Sequence, residues 1–203
     1  MMLTFSCSRA ILLFTLFIGT AILLFGCNSD YTVRQKGYFR IDLPEHEYQV
    51  FDRPGFPYTF EYPVYASVVQ DSTFFEDEPE NPYWVNIDFP QFHGRMYLSY
   101  KDVKKTQFDK LVDDAFKLTY KHSSKATAIR DSLLRTPNGI SGVFFRVGGN
   151  AATAKQFFVT DSVNHFLRGA LYFDATPNAD SLSVVNNFLE VDMKHLINTL
   201  KWK

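Results

Sequence analysis

Residues 139–173 read GISGVFFRVGGNAATAKQFFVTDSVNHFLRGALYF, and residues 127–135 just before them read TAIRDSLLR. Four runs rich in Val, Ile, Phe, Leu and Tyr stand out: Thr127–Arg135, Gly139–Val147, Lys155–Thr160 and His165–Phe173. Turn-forming residues separate them, at Pro137-Asn138-Gly139, Gly148-Gly149-Asn150 and Asp161-Ser162-Val163-Asn164. Such runs with short polar punctuation predict an antiparallel meander. Upstream, Phe108, Leu111, Val112, Ala115 and Leu118 recur at three- and four-residue spacing and predict a helix over 106–122, with Thr106 and Asp109 placed as a capping pair. Before it, Tyr83, Val85, Ile87 and Phe89 alternate, as do Met96, Leu98 and Tyr100, so two half-buried strands are expected with Gly94 turning the chain between them. Downstream, Leu182, Val185, Phe188, Leu189, Met193, Leu196 and Ile197 predict a second core-facing helix over 180–199, capped by Asp180 or Ser181.

Seven of the nine prolines fall between Pro44 and Pro90, among short aromatic runs such as Tyr58–Tyr62. Proline cannot donate to a strand ladder, so this third is expected to hold short strands and turns. The order of elements predicts one α+β domain, an antiparallel sheet with two main helices packed on it.

The composition narrows the function classes. The chain has 203 residues, 46% of them apolar, with 21 basic against 22 acidic side chains and a net charge of -1. That excludes a disordered chain and gives no basic excess for nucleic acid, so no nucleic-acid partner is expected. Only Cys7 and Cys27 are present, too few for a disulfide framework or a cysteine metal site.

The amino-terminal residues describe an address. Ala10–Gly26 is an uncharged, largely apolar run preceded by Arg9, the layout of a secretory signal. Leu24-Phe25-Gly26-Cys27 resembles the bacterial lipobox, in which the cysteine is acylated on sulfur and the leader removed; Phe25 departs from the small or β-branched residue usual there. Two or three acyl chains make attachment effectively permanent. The expected organisation is a signal over 1–26, lipidated Cys27 with a short polar tether over 27–36, and a single domain over 37–203. The expected location is the cell envelope, membrane-anchored and facing the periplasm.

Chemistry-bearing motifs are sparse. There is no GxxxxGK[ST], HExxH or GxSxG. Arg146–Ala151 is a Gly-rich turn whose backbone amides could cradle an anion, but a hairpin turn needing positive φ is the better reading. Ser141 would need a base, and nothing places His46, His93, His122, His165 or His195 beside it; solvated or capping roles account for the histidines. Glu76, Asp77, Glu78 and Glu80 offer oxygen ligands without the spacing of a calcium loop, and read as a solvated acidic loop. No metal, cofactor or catalytic residue is expected, and the chain is read as a non-enzyme. The aromatic excess, often beside proline and arginine, favours a binding surface instead, with Tyr38, Phe39, Arg40, Asp42, Trp84, Phe92 and Arg95 as the partner-binding candidates.

The lipobox at Cys27, with the tracts YFRIDLPEHEY (38–48), FEYPVYA (60–66), NPYWVNIDFP (81–90) and GVFFRVGGNAATAKQFFVTDS (142–162), resembles the Bacteroidetes gliding-motility lipoprotein family GldD. The resemblance implies an envelope lipoprotein of the gliding and linked type IX secretion machinery, acting through other envelope proteins and not by catalysis. It carries over only Cys27 as a functional position. The element order is also similar to the PsbP/Mog1 type of α/β/α sandwich. The alternative is a cell-wall or glycan-binding lipoprotein in which Tyr83 and Trp84 stack on sugar rings; a hydrolase built around Ser141 is a third reading.

Overall fold

The computed structural model describes Phe14, Leu16–Ile18, residues 40–70 and residues 80–203. Phe14 and Leu16–Ile18 are helical with exposed side chains. The compact unit is Arg40–Lys203. Its elements are β1 (Tyr48–Phe51), β2 (Tyr58–Pro63), β3 (Ser67–Gln70), β4 (Val85–Phe89), β5 (Gly94–Asp102), α1 (Phe108–Tyr120), β6 (Ala126–Arg135), β7 (Ser141–Gly149), β8 (Lys155–Thr160), β9 (His165–Phe173), α2 (Ala179–Thr199) and β10 (Lys201–Trp202).

Seven strands form one antiparallel sheet in the order β3-β4-β5-β9-β8-β7-β6. The expected meander β6–β9 is there, each strand hydrogen-bonded to the next. It folds back after α1, so that β9 pairs with β5 from Gly94↔Phe173 to Asp102↔His165. A smaller sheet, β1-β2-β10, packs on one side.

Two cores explain the central sequences. Phe144, Phe157, Val159, Leu167 and Leu171 pack with Leu189, Met193 and Leu196 of α2 and with the small sheet. Their neighbours in the chain, Val143, Phe145, Phe158 and Phe166, pack with Leu111 and Ala115 of α1 on the opposite face. Both faces are covered, so these strands read as near-continuous apolar runs and not as an alternation. The layers are therefore helix, sheet and helix, with the small sheet beside α2. In β4, Val85, Ile87 and Phe89 face the α2 core as expected, but Asn86 between them is only 4% exposed, so that strand is more deeply buried than a half-buried pattern implies.

Local chemistry sets the turns. Asp161 Oδ1 accepts the backbone N–H groups of Val163, Asn164 and His165, which closes the β8–β9 hairpin around Ser162 at φ +63°. Gly149 sits at φ +85°, where a Cβ would lie 2.7 Å from the Thr127 backbone nitrogen, so the Gly-rich turn is the positive-φ feature expected. The helix caps differ from expectation. Residue 107, not Thr106, precedes α1, and no side chain caps that end. Asn178 caps α2, accepting from the N–H groups of Asp180 and Ser181, because the helix starts at Ala179. The buried stripe of α1 runs through Leu111, Ala115 and Thr119, leaving Leu118 39% exposed.

Candidate functional site

α2 carries Phe188, Asp192, His195 and Thr199 on one face, at spacings of three and four residues. That face meets the small sheet through polar groups. Asp192 is 2% exposed. It accepts hydrogen bonds from Tyr48 Oη (3.0 Å), Tyr65 Oη and His46 Nδ1 (2.6 Å). A buried carboxylate without donors costs several kcal/mol, and three donors offset that cost. Burial first, then the hydrogen bond to Asp192 and its charge, push the Tyr48 and Tyr65 phenols far above the usual range, so both remain neutral donors.

The network continues through rings. His46 stacks on Phe188 at 4.3 Å, and Tyr48 stacks on His195 at 3.5 Å. His195 Nε2 lies 2.6 Å from Glu61 Oε2, and Thr199 Oγ1 accepts the Glu61 N–H. The effect is to fasten the entering chain, from His46 into β1, onto the final helix. The Asp192–His46 pair has the form of the orienting half of a catalytic triad, yet among the described residues no hydroxyl or thiol nucleophile hydrogen-bonds to His46.

A second ionic centre lies on another face of α2. Glu190 accepts from Arg146 Nε and Nη2 (3.0 and 2.6 Å to Oε1), Lys155 Nζ and Lys194 Nζ. Burial pushes its carboxyl up, but the three cations outweigh this and bring its pKa to about 2.

The partner-binding candidates do not form one patch. Cys27, Tyr38 and Phe39 lie outside the described residues, as do Glu76, Asp77 and Glu78. Arg40 and Asp42 are exposed and paired at 3.0 Å, and Gln91 Nε2 donates to the Asp42 carbonyl at 2.7 Å. Trp84 is 8% exposed; its Nε1 donates to the Tyr100 carbonyl, and the Lys101 ammonium lies over its ring. Phe92 is half-buried against Phe188 and Tyr65, which joins it to the Asp192 network. Arg95 grips Asp88 with two hydrogen bonds, of 2.6 and 2.9 Å, and stays exposed.

Ser141 is exposed at the end of β7, opposite Arg135 and Thr160, and among the described residues no hydrogen bond joins it to a histidine. The expectation of solvated or capping histidines fails for three of them. His46 and His195 belong to the α2 network, and His165 accepts or donates at 2.7 Å with Tyr100 Oη and stacks on Trp202. Asp192 was the readable signal: a lone carboxylate inside the Leu189, Met193, Leu196 stripe needs a buried partner. Among the described residues no three His, Cys, Asp or Glu side chains converge as a metal site, and no helix is long and apolar enough to cross a membrane.

The sequence profile of the gliding motility lipoprotein GldD family matches residues 28–202. The chain belongs to this family. Membership ties it to gliding motility and to the lipoproteins. Curated protein sequences give no significant match. Solved structures similar to it include the solution structure of cyanobacterial PsbP from Synechocystis sp. PCC 6803, at 13% identity and a TM-score of 0.44, covering 84% of this chain and 99% of that one.

Proposed function

We propose that the chain is a non-enzymatic, lipid-anchored component of the gliding apparatus and of the linked type IX secretion machinery, facing the periplasm and working by docking other envelope proteins. The observation that carries this reading is the family match, which begins at residue 28, directly after Cys27. In this reading residues 1–26 are a cleaved leader, Cys27 bears the acyl chains, 27–36 is the tether, and 37–203 is the working domain. Each buried methylene of an acyl chain contributes about 0.8 kcal/mol, so two or three chains hold the domain at the bilayer permanently. Confinement raises the effective concentration of neighbours, and a modest interface then suffices. Arg40, Asp42 and Arg95 are the exposed members of the docking set, with Tyr38 and Phe39 preceding them.

Mass spectrometry of the mature amino terminus, combined with crosslinking in native membranes, tests this. An acylated Cys27 and crosslinks from residues 38–42 and Arg95 to envelope proteins are expected. Full motility from a Cys27→Ala chain recovered unlipidated in the soluble fraction would overturn the reading.

A further inference from the structure

A cavity of about 330 Å³ opens between the β6–β7 hairpin, the turn after Gly149 and the first half of α2. Its walls are mainly apolar, including Val147, Ala151 and Leu182. Two features of its lining are unfavourable in themselves. Arg130 and Arg146 both line it, and they are directly opposite one another across β6 and β7. Like charges in that position repel. Glu190 answers for Arg146 but is shared with Lys155 and Lys194, and among the described residues no carboxylate lies within ion-pair reach of Arg130. The second feature is Asn186, a lining residue only 6% exposed, whose Oδ1 is buried without a hydrogen-bond partner. Leaving such a group unmade costs about 1–3 kcal/mol.

We propose that this cavity binds a small amphipathic anion. A carboxylate or phosphate sits between Arg130 and Arg146, where it removes the cross-strand repulsion and receives charge-assisted hydrogen bonds. The apolar body lies against Ala151 and Leu182, beside Asn186. The size is at the lower end for small-molecule sites, which limits the ligand to something like an acylated amino acid or a short-chain phosphate ester. This assignment is independent of the gliding role.

The test uses the full chain in lipid nanodiscs, with empty nanodiscs as control, followed by hydrogen-exchange mass spectrometry. The probes are N-acetyl-L-phenylalanine (anion), N-acetyl-L-phenylalaninamide (neutral), L-phenylalaninamide (cation) and 2-phenylethyl phosphate. The anions are expected to saturate below about 1 mM and to protect residues 147–154 and 182–187, with the neutral amide about tenfold weaker and the cation without effect. Comparing the two anions distinguishes a carboxylate ligand from a phosphate one. Arg130→Glu converts the repelling pair into an attracting one, so it should raise the unfolding temperature while weakening anion binding by about tenfold or more. Asn186→Leu places a larger apolar side chain in the lining and should weaken anion binding by about tenfold. Equal binding of anion and cation, unchanged binding in Arg130→Glu, or no saturation by either anion overturns the proposal.

Discussion

Asp192 is the side chain whose removal should be felt most. Asp192→Leu adds bulk to a buried site and leaves the donors of Tyr48, Tyr65 and His46 without an acceptor, so a loss of about 3–5 kcal/mol is expected in urea unfolding. Tyr65→Phe removes one donor and should cost about 1–2 kcal/mol, leaving the carboxylate two others. Glu190 sets an acid limit. Its carboxyl titrates near 2 in the fold against 4.5 when free. A depressed folded pKa contributes stability that is complete above 4.5 and is lost as pH falls from there towards 2. The full shift corresponds to about 3 kcal/mol, and solvent reaching Arg146 and Lys194 reduces it. Urea midpoints measured between pH 5 and pH 2 should fall more steeply for the native chain than for Glu190→Gln. Gly169 is a packing constraint, since a Cβ there would lie 2.3 Å from the Phe157 ring. Gly169→Ala should destabilise by about 1–3 kcal/mol as that ring is displaced from the α2 core.

The helices separate sequence signals that are used from those that are not. Asn178 and Thr106 both look like caps by residue type, but only the Asn178 side chain accepts from its helix. Asn178→Ala should therefore cost about 1 kcal/mol in thermal or urea unfolding, while Thr106→Ala should be neutral within error. α2 is two-sided. Leu189, Met193 and Leu196 bury against the large sheet, while Asp192 and His195 meet the small sheet through hydrogen bonds. The small sheet is thereby joined to the helix by directional contacts that fix its position, where an apolar contact alone would tolerate sliding.

In the compact unit, the beginning and the end of the chain close on each other. β10 pairs Lys201↔Thr59 and Trp202↔Tyr58, and Lys203 donates its N–H to the Pro57 carbonyl. Deleting Lys201–Lys203 would uncover the edge of β2, including the backbone beside buried Tyr58, and should lower the unfolding temperature and promote association through that edge. Size-exclusion chromatography alongside thermal unfolding checks both effects. β6, at the far end of the large sheet, is a ten-residue edge with Leu133 82% exposed. Its charges, Arg130, Asp131 and Arg135, are the kind that discourage pairing with another chain.

The sequence by itself determined the local pieces: the meander strands, two amphipathic helices and the hairpin glycine at 149. Each depends on a short apolar run between turn residues, on helical spacing or on one backbone angle, which neighbours in the chain are enough to specify. It also marked the GldD resemblance through tracts spread over the domain. Only the tertiary structure decided that β9 returns to β5, that Trp84 is buried, and that His46 and Asp192, 146 residues apart, share a hydrogen bond. Pairings of that kind depend on which faces are covered once the layers pack, and no local pattern encodes the partner of a buried charge.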